Sequence, residues 1–97
     1  MTPTCPEPNG LAIGTITTTS AELAWTEMGT STLWNVEYGP AGYTQGSGTP
    51  VNGVTTNPYV LSGLSPNTQY SYYVQADCTS STSYWTGPFS FVTACVP

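Results

Sequence analysis

The sequence predicts an all-β protein in which two antiparallel sheets pack face to face. Apolar residues recur at every second position in short runs, and clusters of turn-forming residues separate these runs. Ten Gly and nine Pro are spread through the 97 residues, and no window carries the apolar period of a helix. We therefore expect one small domain of six or seven short strands, each burying one face.

Alternation assigns side chains to the two faces of each strand. Leu11 and Ile13 share a face, and Ile16 follows after a one-residue slip of the kind that a β-bulge makes. Glu37 falls on the face opposite the apolar residues of its strand, and Tyr73 is expected to face outward with Ser71. The predicted strands are residues 11–16, 21–25, 34–38, 59–61, 70–77 and 89–92, and the turns are 17–20, 27–32, 39–42, Asn52-Gly53, 65–67 and 79–83.

The charge pattern excludes several classes of function. The chain has no Lys, Arg or His and five acidic residues, so its N-terminal amine is the one cation. Nucleic acids and anionic membrane surfaces require a basic patch, and general acid–base catalysis usually requires His. The acidic residues are too scattered to predict a metal site, and no apolar run approaches the roughly 20 residues of a bilayer span. We expect no enzyme activity, no cofactor, no nucleic acid and no membrane insertion.

A motif in the second half of the chain indicates a family. Residues 63–70 read Gly-Leu-Ser-Pro-Asn-Thr-Gln-Tyr, which resembles the Gly-Leu-x-Pro-x-Thr-x-Tyr signature of fibronectin type III domains. Residues 23–25, 34–38 and 89–91 also match that family, so the resemblance covers almost the whole chain. It implies a seven-stranded, immunoglobulin-like β-sandwich of two antiparallel sheets. The structural residues that it implies are Trp25 in the core, Leu64 and Pro66 at a corner, and Tyr70 as the tyrosine corner.

The chain is also similar to the tandem repeats of exported Bacteroidota proteins. The shared features are Cys5-Pro6, Tyr-Gly-Pro at 38–40, Gly-Ser-Gly-Thr at 46–49, Cys78, and Ser-Tyr-Trp at 83–85. The lack of Lys and Arg departs from that group, so both a natural and an engineered origin stay open. We expect a single domain over residues 1–97, with a leader at 1–8, the sandwich at 9–94 and the start of a linker at 95–97.

The resemblance also bears on the three cysteines. Fibronectin type III sandwiches place the N-terminus at the end that carries the loop between their last two strands, called the F–G loop, so Cys5 and Cys78 are expected to meet in a disulfide. Cys95 follows the last strand at the other end, unpaired within the domain, as the leading cysteine of a next module or the site of a covalent dimer. An oxidised pair indicates an extracellular or cell-surface location, whereas three free thiols would suit a cytosolic domain.

Four aromatic residues are candidates for ligand contact. Alternation or loop position is expected to expose Tyr43, Tyr73 and Tyr84, and Trp85 lies beside the F–G loop. Exposed aromatic rings stack on sugars and anchor protein interfaces, so carbohydrates and surface proteins are candidate partners besides neighbouring modules of the same polypeptide. Isolated surface tyrosines are also ordinary in β-sandwiches, and that interpretation stays open.

Together these observations predict a non-catalytic spacer, adhesion or interaction module of a larger secreted or cell-surface protein. One alternative is an accessory module of an extracellular carbohydrate-active hydrolase or peptidase. Another is a stand-alone or engineered binding scaffold with recognition in its loops. Fold alone does not select among these functions, because one fold supports many kinds of site.

Overall fold

Seven strands form the two predicted sheets in a computed structural model, which describes residues 5–29, 31–78 and 81–95. In chain order the strands are β1 (Asn9–Ile16), β2 (Ala21–Thr26), β3 (Trp34–Pro40), β4 (Thr49–Val54), β5 (Tyr59–Leu61), β6 (Gln69–Ala76) and β7 (Thr86–Val92). One sheet has the order β1-β2-β5 and the other β4-β3-β6-β7, and all paired strands are antiparallel. The all-β sandwich is confirmed. Within the described ranges no helix is long and apolar enough to cross a membrane.

The hydrophobic core lies between the sheets because alternate side chains of each strand point inward. Trp25 and Trp34 meet edge to face there, with ring centroids 5.4 Å apart. The buried Tyr72 places its hydroxyl 2.9 Å from the Ala12 carbonyl and 3.0 Å from the Ala24 carbonyl, so a β6 side chain is tied to both β1 and β2. The other buried apolar side chains are Ala21, Leu23, Val36, Val54, Leu61, Leu64, Val74, Ala76 and Phe91.

Bulges interrupt the strand pairing at two positions that the sequence marks. The register of β1 against β2 shifts between Ile13 and Ile16, which confirms the predicted slip. The predicted turn at Asn52-Gly53 is wrong, because both residues lie inside β4. Gly53 has a φ of 72° beside a register shift against β3, so the pair forms a bulge within a continuing strand.

The corner between β5 and β6 has the arrangement that the family resemblance implies. The Tyr70 hydroxyl accepts a hydrogen bond from the backbone N–H of Ser65 at 2.9 Å. Leu64 is buried beneath this corner, whereas Pro66 is exposed on it. The Thr93 hydroxyl donates to the Ser65 carbonyl at 2.6 Å, so the corner is also fastened to the end of the chain that follows β7.

The outer face of the four-stranded sheet is less exposed than alternation predicts. Glu37 is 5% exposed and Ser71 is 2% exposed, although alternation places both away from the core. The Ser71 hydroxyl lies 2.9 Å from the Ser90 hydroxyl on the neighbouring strand. Glu37 is instead covered by the loop between β3 and β4. The period of a strand assigns a side chain to a face, but it does not show what covers that face.

Candidate functional site

A disulfide joins the segment before β1 to the end of β6. The Cα atoms of Cys5 and Cys78 are 5.9 Å apart, and the bond confirms the predicted pairing. Cys95 is a free, exposed cysteine after β7, with its Sγ 3.3 Å from Asn67 Oδ1. Cys78 lies two residues after the end of β6, an inner strand, so the disulfide fastens the segment before β1 to the end of the four-stranded sheet.

An open pocket of about 440 Å³ lies beside this disulfide. Cys5 lines one side, and residues 81–84, which lead towards β7, line the other. Ser83 is buried, and its hydroxyl accepts a hydrogen bond from Ala76 N at 2.9 Å and donates one to the Tyr84 carbonyl at 2.8 Å. Gln75 Nε2 also donates to the Ser83 carbonyl at 2.9 Å, so this wall of the pocket is held against β6. Tyr84 itself is 86% exposed.

The prediction that Tyr43 and Tyr73 are exposed is wrong, since both are half-buried and pack on each other. Their ring centroids are 5.7 Å apart in an edge-to-face arrangement. The Tyr43 ring covers two glycines, and a Cβ would lie 3.0 Å from it at Gly39 and 2.6 Å at Gly48. Burial, and then the neighbouring Glu37 carboxylate, raises the pKa of Tyr43. This pair is therefore a small packed layer on the outside of the sheet.

The Glu37 carboxylate is the centre of a hydrogen-bond network beneath that layer. It accepts hydrogen bonds from Gly46 N at 3.0 Å and from Gly48 N at 3.2 Å. The Tyr43 hydroxyl lies 3.1 Å from the Glu37 carbonyl and 3.3 Å from its carboxylate. Backbone N–H groups thus stabilise a buried anion in a chain without side-chain cations. This role of Glu37 was not predicted from the sequence, and the one feature that could have indicated it is the Gly-Ser-Gly run at 46–48, after β3.

Glu27 has a similar role in the loop between β2 and β3. Its Oε2 accepts hydrogen bonds from Gly29 N at 2.7 Å and Ser31 N at 3.4 Å. Its Oε1 accepts one from Trp34 Nε1 at 2.9 Å, which satisfies that buried indole. Trp25 Nε1, in contrast, is buried with no hydrogen-bond partner among the described residues. Both tryptophans belong to the core and not to a surface site.

The remaining candidate, Trp85, is half-buried just before β7. One end of the Gln45 side-chain amide lies 3.3 Å from Trp85 Nε1 and 3.3 Å from Glu37 Oε1, so Trp85 packs against the β3–β4 loop. Of the four aromatic candidates, Tyr84 is the exposed one. In the described part of the chain, no group of three or more His, Cys, Asp or Glu residues could hold a metal ion.

The strand order and the tyrosine at the β5–β6 corner define the chain as an immunoglobulin-like β-sandwich module. A sequence profile described as the fibronectin type III domain matches residues 6–92. The chain belongs to the fibronectin type III family, whose members are generally non-catalytic and often serve as spacer or interaction domains in larger proteins. A comparison with curated protein sequences finds no match.

Solved structures share the fold at low sequence identity. The fn3 domain of the human collagen alpha-1(XX) chain is 24% identical over 95% of this chain and 88% of that chain, with a TM-score of 0.78. The fibronectin type-III domain of human fibronectin type III domain containing protein 3 is 19% identical over 99% of this chain and 92% of that chain, also with a TM-score of 0.78. The FN1-FN3 domains of chicken CNTN1 are 16% identical, with a TM-score of 0.76, and the match covers 90% of this chain and 30% of that chain. At these identities the likeness shows the fold alone.

Proposed function

We propose that this domain is a non-catalytic spacer and interaction module of a larger exported protein, and that it carries tension between its neighbours. The observation that supports this function is the disulfide between Cys5 and Cys78. Disulfides persist in oxidising compartments, which favours an extracellular or cell-surface location. The family supports the modular role, because its members often serve as spacers.

The position of the disulfide decides how the domain responds to a pull on its two ends. A force that enters before Cys5 passes through the covalent bond to the end of β6, so the 73-residue span between the cysteines cannot extend. Strand β7 lies outside that span and can separate from β6. When the domain, which is 55 Å along its longest axis, unfolds in the oxidised state, it therefore releases at most the residues that follow Cys78.

Single-molecule force spectroscopy on a polyprotein of Cys95→Ser modules tests this proposal. Each oxidised module should release at most the residues that follow Cys78, which is about 70 Å of chain. Each reduced module should release the 73-residue span as well, which adds about 260 Å. Equal extension before and after reduction would contradict the proposal, as would free thiols at positions 5 and 78 after export to an oxidising compartment.

The two alternative contexts share the spacer geometry and differ in what lies beside the domain. An accessory module of a hydrolase or peptidase requires a catalytic neighbour, whereas an adhesive array requires further copies with a cysteine before their first strand. A stand-alone scaffold requires neither. Sequencing the full reading frame that encodes this chain separates the three.

A further inference from the structure

The pocket beside the disulfide combines an exposed aromatic ring with neutral hydroxyl groups. Tyr84 is 86% exposed at its rim, and Ser81 and Thr82 are exposed on the same wall. A tyrosine ring so exposed contributes little to the core, which leaves its face free to contact a ligand. The pocket volume of about 440 Å³ lies within the range of small-molecule sites, which is about 300–1,000 Å³.

The wall that carries these groups is preorganised. The buried Ser83 hydroxyl accepts a hydrogen bond from Ala76 N and donates one to the Tyr84 carbonyl, and these bonds hold the backbone beside the Tyr84 ring. The Cys78 N–H donates to the Ser81 carbonyl at 2.9 Å, next to the disulfide. A site whose backbone is already fixed loses less conformational entropy when a ligand binds.

The chemistry of the lining selects the class of ligand. None of the five described residues that line it is charged, and the chain offers no side-chain cation to attract an anion. A flat aromatic face pairs with the apolar C–H face of a sugar ring, and serine and threonine hydroxyls can both donate to and accept from sugar hydroxyls. We propose that this pocket binds a neutral saccharide, with one ring stacked on Tyr84 and its hydroxyls bonded to Ser81 and Thr82. Ser83 acts as a positioning residue, because it acts through the Tyr84 backbone.

Titration of the oxidised Cys95→Ser protein tests this site. The probes are cellohexaose, maltohexaose, xylohexaose and mannohexaose, followed by backbone amide NMR shifts. At least one should bind with a Kd of roughly 1 mM, as expected for one stacked sugar in an open site, with shifts centred on residues 81–84. Hexagalacturonate, which is anionic, should bind at least tenfold more weakly than the best neutral probe.

Variants separate stacking from hydrogen bonding. Tyr84→Ala should weaken binding at least tenfold, whereas Tyr84→Phe should keep it within about threefold because the ring face remains. Ser81→Ala combined with Thr82→Ala should weaken it several-fold. Val60→Ala, at an exposed position on the other sheet, is the matched control and should change nothing.

Three results would overturn the saccharide site: no saturable shift with any neutral probe, shifts centred elsewhere, or unchanged affinity in Tyr84→Ala. Because Tyr84 is exposed, that variant should keep the melting temperature of the parent, which shows that any loss is local. The extension experiment above uses no ligand, so failure of this site leaves the spacer role untouched, and the reverse also holds.

Discussion

At the scale of single residues, neutral donors replace the cations that this chain lacks. Glu37 is 5% exposed, and burying a carboxylate without partners would be costly. The N–H groups of Gly46 and Gly48 offset that cost, and each hydrogen bond to a charged group is worth roughly 1.5–3 kcal/mol. The carboxylate consequently holds the β3–β4 loop against the sheet.

Glu37→Gln should lower the free energy of unfolding by about 2 kcal/mol at pH 7. The substitution keeps the shape of the side chain, but its amide NH2 would face the N–H groups of Gly46 or Gly48 and leave a donor unsatisfied. Chemical denaturation measures the loss. Glu22→Gln, at a half-buried position on β2, removes the same charge and should cost less than about 0.5 kcal/mol. Equal effects at both positions would mean that net charge matters and the loop contacts do not.

Tyr70→Phe should lower stability by about 1 kcal/mol, because the substitution removes the acceptor of the Ser65 N–H. Tyr73→Phe is the matched control in the same strand. Its ring packs against Tyr43, and removing the hydroxyl leaves that packing intact, so the cost should be close to zero. Thermal unfolding of the two variants side by side measures the difference. Similar losses would contradict a specific role for the tyrosine corner.

The residue scale also shows where sequence reasoning succeeds. Trp25 could be placed from alternation because its ring partner Trp34 lies in a strand of the facing sheet, and Tyr70 could be placed because the family signature includes the corner that holds its partner Ser65. Tyr43 and Glu37 could not, since both are covered by contacts of the β3–β4 loop that the strand pattern does not encode. The exposure of Tyr84 could be predicted because it depends on the position of this residue in its loop.

At the scale of elements, the edges of the sheets are protected without lysine. An exposed edge strand can pair with another chain, and proteins often place Lys, Pro or bulges there. Here β4 carries Pro50 and a bulge at Gly53, β7 carries Pro88, and β5 has only three residues. The remaining edge strand, β1, changes register twice against β2.

The two bulges differ in whether the sequence alone could predict them. The slip before Ile16 could be recognised because the apolar pattern itself changes phase. Asn52-Gly53 looked like a hairpin turn because that dipeptide favours positive φ, which a bulge requires equally. A local dipeptide cannot distinguish the two, since the difference depends on whether β3 continues alongside.

The pairing of β2 with the short β5 is continued by the Asn57 side chain, which hydrogen-bonds to the β2 backbone. Asn57 Oδ1 accepts from Trp25 N at 3.2 Å, and its Nδ2 donates to the Trp25 carbonyl at 2.6 Å. Asn57→Asp should cost about 2 kcal/mol, because a carboxylate oxygen would then face that carbonyl. Hydrogen exchange at the Trp25 amide should accelerate in parallel. Asn52→Asp adds the same charge at an exposed bulge, and an equal loss there would contradict the specific role of Asn57.

At the scale of the whole molecule, the disulfide supplies a large share of stability. Closing a 73-residue span limits the unfolded chain by about 4 kcal/mol in the chain-entropy account, against a total of about 5–15 kcal/mol for a small domain. Cys5→Ser combined with Cys78→Ser should show a loss of that size by chemical denaturation. Intact-mass thiol counting on the parent should find one free thiol, at Cys95. A peptide linking Cys78 to Cys95 would contradict both expectations.

At alkaline pH, this composition leaves tyrosine as the side chain whose ionisation can change the stability of the fold. With no Lys or Arg, the side chains that titrate near pH 10 and above are tyrosines, once Cys95 is replaced by Ser. Burial raises the pKa of Tyr72 to about 12, and burial beside Glu37 raises that of Tyr43. A raised pKa in the folded state favours the neutral phenol, so the stability that the phenol contributes is complete below the unfolded pKa of about 10 and is lost as pH rises towards 12.

Stability in the Cys95→Ser protein should therefore be flat from pH 7 to 9 and fall steadily above pH 10. Tyr72→Phe should start less stable, because it loses the hydroxyl that joins the sheets, but its decline above pH 10 should be shallower than that of the parent. Denaturant midpoints at each pH measure both curves, and parallel declines would show that ionisation of Tyr72 is not linked to unfolding.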